Sequence, residues 1–206
     1  MKHVKDAWNE DYIKRGRLWG GTRHSIPDLP KGCRILELGC GNGTTLSGLL
    51  KHRYELVAID FSDEATQISK KIVDKNPCTD VIVADARQLP FATRSFDAII
   101  AFHIVGHMLK DCRELVIRDS IRVLRKGGQL FFRDFSVNDM RAGSGVRVEP
   151  DTYCRGLGIF THYFDENEVL SLFAQLNVQS LTSNRWTMRI HGKNVVRAEI
   201  VAFFSK

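Results

Sequence analysis

The sequence lacks the long apolar runs that cross membranes and the apolar core of a signal peptide. No stretch reaches the roughly 18 to 20 uninterrupted apolar residues that a membrane span needs. The N-terminal segment "MKHVKDAWNEDYIKRGRLWGG" carries charged side chains throughout. We therefore expect a soluble, cytoplasmic protein without a membrane partner.

Cysteine occurs only five times, and its spacing excludes the common metal and disulfide motifs. The number is odd, the positions are widely scattered, and no CxxC or Cys/His pair has the spacing of metal ligands. We expect reduced, mostly structural thiols and no bound metal. The positions are Cys33, Cys40, Cys78, Cys112 and Cys154.

The sequence also lacks a phosphate-binding P-loop, although it contains a glycine-rich loop. In "ILELGCGNGTTLSGLL" the glycines are Gly39, Gly41 and Gly43, and Thr44 stands where a P-loop would continue towards its lysine. The spacing is GxGxG, whereas a dinucleotide fingerprint reads GxGxxG. Glu37, two residues before the first glycine, would repel a pyrophosphate and attract a cation.

What the sequence does contain predicts one α/β domain over residues 1–206. With 206 residues and 43% hydrophobic positions, the chain can enclose a core and a small-molecule cleft. Strand-like apolar runs alternate with amphipathic helices, and this order indicates βαβ units and a parallel sheet. The predicted strands are 34–38, 54–60, 80–85, 95–103 and 129–135. The predicted helices are 62–77, 112–128 and 165–176, and an antiparallel hairpin turning at "HGKN" closes the chain.

Three acids follow three of these strands. An aspartate in the position of Asp60 accepts both ribose hydroxyls in nucleoside-binding α/β folds. Asp85 could accept a hydrogen bond from an adenine amine, with Ala86 against the ring. Together with Glu37, these acids fit a ligand that is cationic, bears adenosine and has no phosphate. S-adenosylmethionine is that ligand.

The ordered set "ELGCGNG", "AIDFS", "ADARQLPF", "FDAIIA" and "VLRKGGQLFFRDF" resembles the class I S-adenosylmethionine-dependent methyltransferases over about residues 30–135. The resemblance implies a Rossmann-like, doubly wound, seven-stranded sheet, mostly parallel, with one antiparallel strand in the C-terminal hairpin. It also implies S-adenosylhomocysteine as product. By this resemblance, the cofactor would contact Glu37, Gly39, Cys40, Gly41, Asn42, Gly43, Asp60, Phe61, Asp85, Ala86, Arg87, Phe102 and His103.

Two histidines stand beside the expected position of the methyl group. His103 and His107 lie just beyond the fourth predicted strand, in "AFHIVGHML", where related families that methylate exocyclic amines have "NPPY" or "DPPY". Each histidine could position the acceptor or take a proton near neutral pH. The alternative is that they only satisfy backbone groups that line the cleft.

A second, narrower resemblance concerns the acceptor. "FFRDFSVNDMR" and "TYCRGLGIFTHYF" resemble segments of the tRNA 3-methylcytidine methyltransferase family, although Leu157 stands where that family has an aspartate. The resemblance implies that Arg133 and Asp134 position the reacting groups and that Tyr153 and Arg155 bind the substrate. The alternative is a structural ion pair between Arg133 and Asp134, with Tyr153 packed at the edge of a lid.

Two segments are expected to flank the substrate. Residues 1–30 interleave Trp8, Tyr12 and Trp19 with basic residues, the composition of a lid over the cofactor or of a nucleic-acid stacking platform. We expect Trp19 to bind substrate. Residues 136–163 form a polar, Gly-rich insertion near the substrate site.

The net charge is +6, with basic residues spread along the chain. Such a balance favours an anionic partner such as RNA, because contacts to phosphates release counterions. A solvated basic surface is the alternative. The function predicted from the sequence is methylation of a nitrogen in an RNA base, of tRNA type. A small-molecule N-, O- or S-methyltransferase and a non-catalytic methyltransferase-like subunit are the alternatives, and the oligomeric state is left open.

Overall fold

The structure is a computed structural model that describes residues 2–15, 28–74, 76–190 and 192–206. The helices of this part are α1 (Lys2–Arg15), α2 (Thr44–Leu49), α3 (Asp63–Val73), α4 (Lys110–Val123) and α5 (Glu166–Leu172). The strands are β1 (Arg34–Leu38), β2 (Glu55–Asp60), β3 (Thr79–Val83), β4 (Phe96–Phe102), β5 (Leu124–Phe135), β6 (Val146–Glu149), β7 (Thr152–Arg155), β8 (Ile159–His162), β9 (Asn177–Ile190) and β10 (Lys193–Ser205). A short 3-10 helix, Val105–His107, follows β4.

Seven strands form one sheet in the order β3-β2-β1-β4-β5-β10-β9. The pairs among β1 to β5 are parallel, and β10 is antiparallel to both of its neighbours, β5 and β9. β10 is therefore the one antiparallel strand, and the predicted fold is confirmed. The carboxyl ends of β1, β2, β4 and β5 meet at one edge, where a sheet of this kind places its ligand.

Local sequence accounts for the main helix and strand signals. Ser62 caps α3, since its hydroxyl accepts a hydrogen bond from the Ala65 amide at 3.1 Å. β1 and β4 are almost entirely buried, as expected for strands with helices on both faces. Two apolar cores cover the two faces of the sheet; Leu38, Phe96 and Phe132 belong to one, and Ile35, Leu46 and Ile100 to the other.

α4 ends earlier than the sequence predicts. The helix was expected to run to the glycine pair at residues 127–128, but it stops at Val123. Leu124 is extended and fully buried, and it pairs with Phe96 of β4. Pairing and burial against a distant strand therefore take this residue out of the helix, and no local pattern reports such a partner.

The segment 136–163 contains more regular structure than was predicted. β6, β7 and β8 form a small antiparallel sheet within this stretch. Two buried side chains anchor it, because the Thr152 hydroxyl lies 2.8 Å from Nδ1 of His162. The other ring nitrogen of His162 lies 2.8 Å from a carboxylate oxygen of Glu168 in α5. Each strand of this sheet has only four residues, too few for a periodic pattern to be distinguished, so the sequence indicated only an insertion.

Across the described parts of the chain, no helix is both long and apolar enough to cross a membrane.

Candidate active site

A cavity of about 520 Å³ opens at the carboxyl edge of the main sheet. It is bounded by residues that follow β1, β2, β3 and β4, and α1 covers one side with Trp8 and Tyr12. The predicted site residues that line it are Gly39, Asp60, Phe61, Asp85, Ala86, Arg87, His103 and His107. The motifs at four separate strand ends thus meet in one cavity.

The remaining residues predicted to contact the cofactor do not line this cavity. Several are buried in or near the glycine loop, where they shape it; the Asn42 amide oxygen accepts from the Thr44 hydroxyl at 2.8 Å. Phe102 belongs to the apolar core that contains Ile35, and the Arg133 guanidinium lies 4.8 Å from the centre of its ring. The predicted residues outside the lining are Glu37, Cys40, Gly41, Asn42, Gly43 and Phe102.

Glu37 is buried, and one of its carboxylate oxygens lacks a hydrogen-bond partner among the described residues. Burial raises its pKa to about 8, Asp60 adds to the increase, and a hydrogen bond from the Leu46 amide opposes it. Its Oε2 is buried and has no hydrogen-bond partner among the described residues. A carboxylate in this state is stabilised by a cation bound nearby. Glu37 therefore fits the cationic amino-acid end of the predicted cofactor, although its side chain does not line the cavity.

Asp60 faces the cavity with both oxygens oriented by the backbone. Oδ2 accepts from the Gly41 amide at 3.0 Å, and Oδ1 accepts from the Ser62 amide at 2.9 Å. Burial raises the pKa of Asp60 to about 6, while these backbone hydrogen bonds hold it down. The carboxylate is therefore ionised at neutral pH and keeps lone pairs for ribose hydroxyls.

The first helix closes over the glycine loop. Gly41 has a φ of 52°, and a Cβ added there would lie 2.6 Å from the Tyr12 hydroxyl. Burial and the charge of Asp60 raise the pKa of Tyr12, so its hydroxyl keeps its proton. Two contacts tether α1 to the start of α3: Lys5 pairs with Asp63 at 2.6 Å, and the Ser62 hydroxyl donates to Asn9 at 2.6 Å. The sequence did not predict that Tyr12 meets Gly41.

An ion pair occupies the far side of the cavity. Arg87 Nε donates to Asp85 at 2.8 Å, and the Arg87 amide donates to the same oxygen at 3.0 Å. Burial opposes ionisation of Asp85, but the hydrogen bonds and charge of Arg87 lower its pKa. Ala86 is buried beside this pair and lines the cavity. The arrangement offers a carboxylate edge and an apolar floor for a flat ring.

His103 follows β4 in a left-handed conformation, with a φ of 53°. Its amide donates to the Arg133 carbonyl at 2.7 Å. Its ring nitrogens lie 3.7 Å from Asp134 and 3.9 Å from Glu199. The ring also lines the main cavity and contacts Phe135 at 4.6 Å between centroids. His103 therefore links the cavity to two carboxylates behind it.

His107 is held in a defined neutral tautomer. Its Nδ1 lies 2.7 Å from the Phe160 carbonyl, which only accepts, so Nδ1 carries the hydrogen. Burial lowers the pKa of His107, which keeps the ring neutral at pH 7 and leaves Nε2 as an acceptor. The ring contacts Trp8 edge-on at 4.9 Å. β8, part of the small sheet, thus fixes the orientation of a residue from the main site.

Asp134 and Arg133 do not pair with each other. Asp134 is almost fully buried and accepts from the Gly106 amide at 2.8 Å. Burial works against its ionisation, but His103, His107 and the Gly106 amide lower its pKa. Arg133 lies 3.7 Å from Glu199. Neither residue lines the cavity, so the structure places both behind the site.

A second cavity of about 200 Å³ adjoins the first. Trp8 and His107 line both cavities and form their common wall. The second cavity also has two aromatic rings, two guanidinium groups and one carboxylate; these belong to Phe135, Tyr163, Arg141, Arg155 and Asp11. It was not predicted, because it forms only where the small sheet faces α1.

The predicted substrate residues have three different outcomes. Arg155 lines the second cavity, donates to the Tyr163 hydroxyl and lies over that ring at 5.7 Å. Tyr153 is outside the lining and packs against Tyr163 at 6.1 Å between centroids. Trp19 lies outside the described residues. Within the described ranges, no group of three or more His, Cys, Asp or Glu side chains could hold a metal ion.

Comparison with known proteins supports the chemistry that the motifs indicate. Residues 36–132 match the family model described as "Methyltransferase domain". A tRNA N(3)-methylcytidine methyltransferase of Drosophila melanogaster is 34% identical over 158 residues, 70% of this chain and 48% of the relative. The chain thus spans about half the length of that curated relative.

Solved structures share the fold at low sequence identity. A SAM-dependent methyltransferase of Methanosarcina mazei has a TM-score of 0.71 at 19% identity, covering 86% of this chain and 94% of its own. A methyltransferase in complex with the Trm112 activator of Haloferax volcanii has a TM-score of 0.71 at 17% identity, covering 98% and 96%. S-adenosylmethionine, the predicted cofactor, is the methyl donor of such enzymes. The strand order, the glycine loop and the family match of residues 36–132 together confirm the resemblance of this chain to the class I S-adenosylmethionine-dependent methyltransferases.

Proposed function

We propose that this chain transfers a methyl group from S-adenosylmethionine to a ring nitrogen of an RNA base, with a cytidine of tRNA as the first acceptor to test. The observation that carries the proposal is the pair of cavities with a common wall of Trp8 and His107. The Drosophila relative, a tRNA cytidine N3 methyltransferase, supports the choice of acceptor. The proposal extends to the site residues below.

The larger cavity is the proposed seat of the cofactor. Asp60 accepts the ribose hydroxyls, Asp85 and Ala86 contact the adenine, and Gly39 lies against the methionine part. Tyr12 and Trp8 cover this cavity, so α1 acts as its lid. When bound, S-adenosylmethionine supplies a methyl group made electrophilic by the sulfonium charge.

The smaller cavity is the proposed seat of the acceptor base. A base turned out of its stack binds between aromatic rings and guanidinium planes, and Phe135, Tyr163, Arg141 and Arg155 provide both. His107 has Nε2 available as an acceptor for an exocyclic amine. The proposal thus gives the segment 136–163 the role in substrate binding that was expected from its position in the sequence.

The electrostatics of the site favour an acceptor with a free lone pair. Such an acceptor needs alignment more than a base, and it gains a positive charge as the methyl group arrives. Asp11 lines the acceptor cavity, and the ionised Asp134 lies behind His103. These carboxylates stabilise the developing charge without taking a proton.

The decisive experiment uses labelled S-adenosylmethionine with separate pools of tRNA, rRNA and small metabolites. We expect label in tRNA and, after digestion, in a methylated cytidine. His107→Ala should reduce the rate at least about tenfold, since positioning and orientation contribute large factors to transfer. Lys51→Ala, an exposed side chain at the opposite edge of the sheet, is the matched control.

Two results would overturn parts of the proposal. Label confined to metabolites would favour the small-molecule alternative and refute RNA methylation. A lack of S-adenosylmethionine and S-adenosylhomocysteine binding in calorimetry would refute the catalytic role and favour a non-catalytic subunit. Adding an activator protein tests a further partner, because one solved neighbour forms a complex with the Trm112 activator.

A further inference from the structure

The hairpin of β9 and β10 extends beyond the rest of the main sheet. β10 pairs with β5 only from Glu199 onward, opposite Phe135 at the end of β5. Among the described strands, residues 193–198 pair only with β9, while the carbonyls of Val196 and Ala198 accept hydrogen bonds from the amides of Met140 and Ser136. At roughly 3.4 Å per residue, these six residues extend about 20 Å past the end of β5. They do so at the carboxyl edge, on the side of the two cavities.

The projecting part has an unusual composition. Residues 184–198 include four lysines and arginines, with no aspartate or glutamate. Trp186, Met188 and Val196 are exposed, at 37%, 39% and 46% of their surface. Arg185 and Arg189 are exposed and form no ion pair with the described residues. Because side chains alternate along a strand, Arg185, Arg189 and Val196 lie on one face of the hairpin, and Trp186, Met188 and Lys193 lie on the other. Each face therefore combines positive charge with exposed apolar groups.

One face of this hairpin connects to the acceptor cavity through stacked side chains. Trp186 stands opposite Arg197, whose guanidinium lies 5.8 Å from the Trp186 ring and 5.4 Å from the Phe135 ring. Arg141 covers the Phe135 ring at 3.9 Å. Phe135 and Arg141 line the second cavity. Aromatic and cationic groups thus alternate from an exposed tryptophan to the cavity.

Asp139 holds this arrangement together. Its side chain is completely buried, and one oxygen accepts from Arg197 Nε at 2.7 Å and from the Ala198 amide at 3.1 Å. The other accepts from Arg141 Nε at 2.9 Å and from the Arg141 amide at 3.0 Å. One carboxylate therefore orients two guanidinium groups, and the cluster keeps a net positive charge.

We infer that the projecting end of the hairpin, residues 184–198, is a docking arm for the RNA chain next to the methylated base. Trp186 stacks on a flanking base, and Arg185, Arg189 and Lys193 contact phosphates. Single-stranded nucleic acid is recognised by this combination of a stacking surface with positive charge. The inference rests on the proposed function and adds to it the surface that presents the RNA.

The test compares the full chain with three variants: R185E/R189E, W186A, and K51E/R53E as a charge-matched control at the amino edge of the sheet. Binding of tRNA is measured across salt concentrations, independently of activity. R185E/R189E should weaken binding at least about tenfold and reduce the salt slope by about two, since each lost phosphate contact changes it by about one. W186A should weaken binding about tenfold with an unchanged slope.

The control and the cofactor show whether a loss is specific. K51E/R53E should bind tRNA within about twofold of the parent chain, and all variants should keep its affinity for S-adenosylhomocysteine and its melting temperature.

The outcomes separate this inference from the proposed function. If the parent chain methylates tRNA while R185E/R189E and W186A bind tRNA as tightly as it does, the docking arm is refuted and the proposed function stands. If K51E/R53E weakens tRNA binding as much as R185E/R189E does, the loss reflects only the change in net charge, and the docking arm is also refuted. If the parent chain neither binds nor methylates RNA, the proposed function fails, and the arm fails with it.

Discussion

At the scale of single residues, two buried acids prepare the site for its ligand. Glu37 and Asp60 both have raised pKa values because burial disfavours their charged forms, and each lies near the other. Asp60 is oriented by the amides of Gly41 and Ser62, whereas Glu37 retains an oxygen with no partner in the described parts of the chain. A cation placed at the loop relieves this repulsion, so binding and local electrostatics are coupled.

Asp60→Asn should weaken S-adenosylhomocysteine binding by about 10- to 100-fold, since a lost hydrogen bond to a charged group is worth about 1.5–3 kcal/mol. Affinity of the parent chain should also fall as the pH drops below about 6, where Asp60 takes up a proton. Titration calorimetry between pH 5 and pH 8 measures both effects. Asp80→Asn, exposed on β3, is the control. Equal affinities for the two variants would contradict the ribose role.

Glu37 should make the stability of the ligand-free chain depend on pH. Its folded pKa of about 8 exceeds the ordinary 4.5, so its contribution is fully present below pH 4.5 and is lost as the pH rises through 8. The free energy of unfolding should therefore fall by on the order of a few kcal/mol over that window. Urea unfolding should show a shallower decline for Glu37→Gln. The same decline in both proteins would show that Glu37 does not titrate there.

At the scale of elements, the short 3-10 helix after β4 joins the main sheet to the larger cavity. Its Gly106 amide donates to Asp134, and its last residue, His107, is oriented by the Phe160 carbonyl of β8. A Cβ on Gly106 would lie 2.7 Å from an oxygen of Asp134. The element therefore tolerates no side chain at this position.

Gly106→Ala should displace Asp134 and the histidines that it faces. We expect the free energy of unfolding to fall by about 1–3 kcal/mol, the usual cost of overpacking, and methyl transfer to fall with it. Denaturant unfolding and a labelled-methyl assay measure the two effects. Gly127→Ala, where an added Cβ meets open space but φ is +72°, shows for comparison the effect of backbone strain without a clash. An unchanged free energy of unfolding in Gly106→Ala would refute the steric explanation.

The helix α1 should affect both cavities through Trp8. Its ring lines the two cavities and contacts His107. Trp8→Ala should weaken cofactor binding several-fold and raise the KM for the acceptor, because it removes part of both walls. Ile13→Ala on the same helix, where the parent side chain is 68% exposed, should change neither. If Trp8→Ala changed the binding of only one of the two ligands, the Trp8 ring would not be a wall shared by both binding sites.

At the scale of the whole molecule, the net charge is positive and the projecting hairpin carries part of that charge close to the cavities. The chain carries a net charge of +6, and the hairpin that projects past the carboxyl edge is free of acids over residues 184–198. The positive charge thus extends beside the cavities, where it attracts an anionic polymer before any specific contact forms.

RNA binding by the intact chain should depend steeply on salt. We expect the association constant for tRNA to fall by at least about tenfold between 50 mM and 200 mM salt, because bound phosphates release their counterions. Filter binding or fluorescence anisotropy over this range measures the slope. Binding of S-adenosylhomocysteine, which has no phosphate, should change little over the same range. A salt-independent tRNA affinity would contradict an electrostatic interface.

The sequence by itself determined the alternation of strands and helices, the glycine loop and the acids at the ends of the strands. Those signals are local: apolar periodicity, glycine spacing and the residue after a strand are read within a few positions. It also indicated the antiparallel hairpin, from two β-rich runs around one turn. The early end of α4 shows where local signals fail. Leu124 is extended because it pairs with Phe96 of β4, although its neighbours in the sequence favour a helix.

Only the tertiary structure decided what surrounds the cofactor loop. Three contacts join segments that are distant in sequence. The Tyr12 hydroxyl lies against Gly41, and the Phe160 carbonyl orients His107. Asp139 binds both Arg141 and Arg197. The second cavity arises in the same way, where the small sheet faces α1. Such contacts depend on how elements pack in three dimensions, and packing leaves no periodic signal in a single chain. The methyl donor could therefore be inferred from the sequence, whereas the acceptor site required the fold.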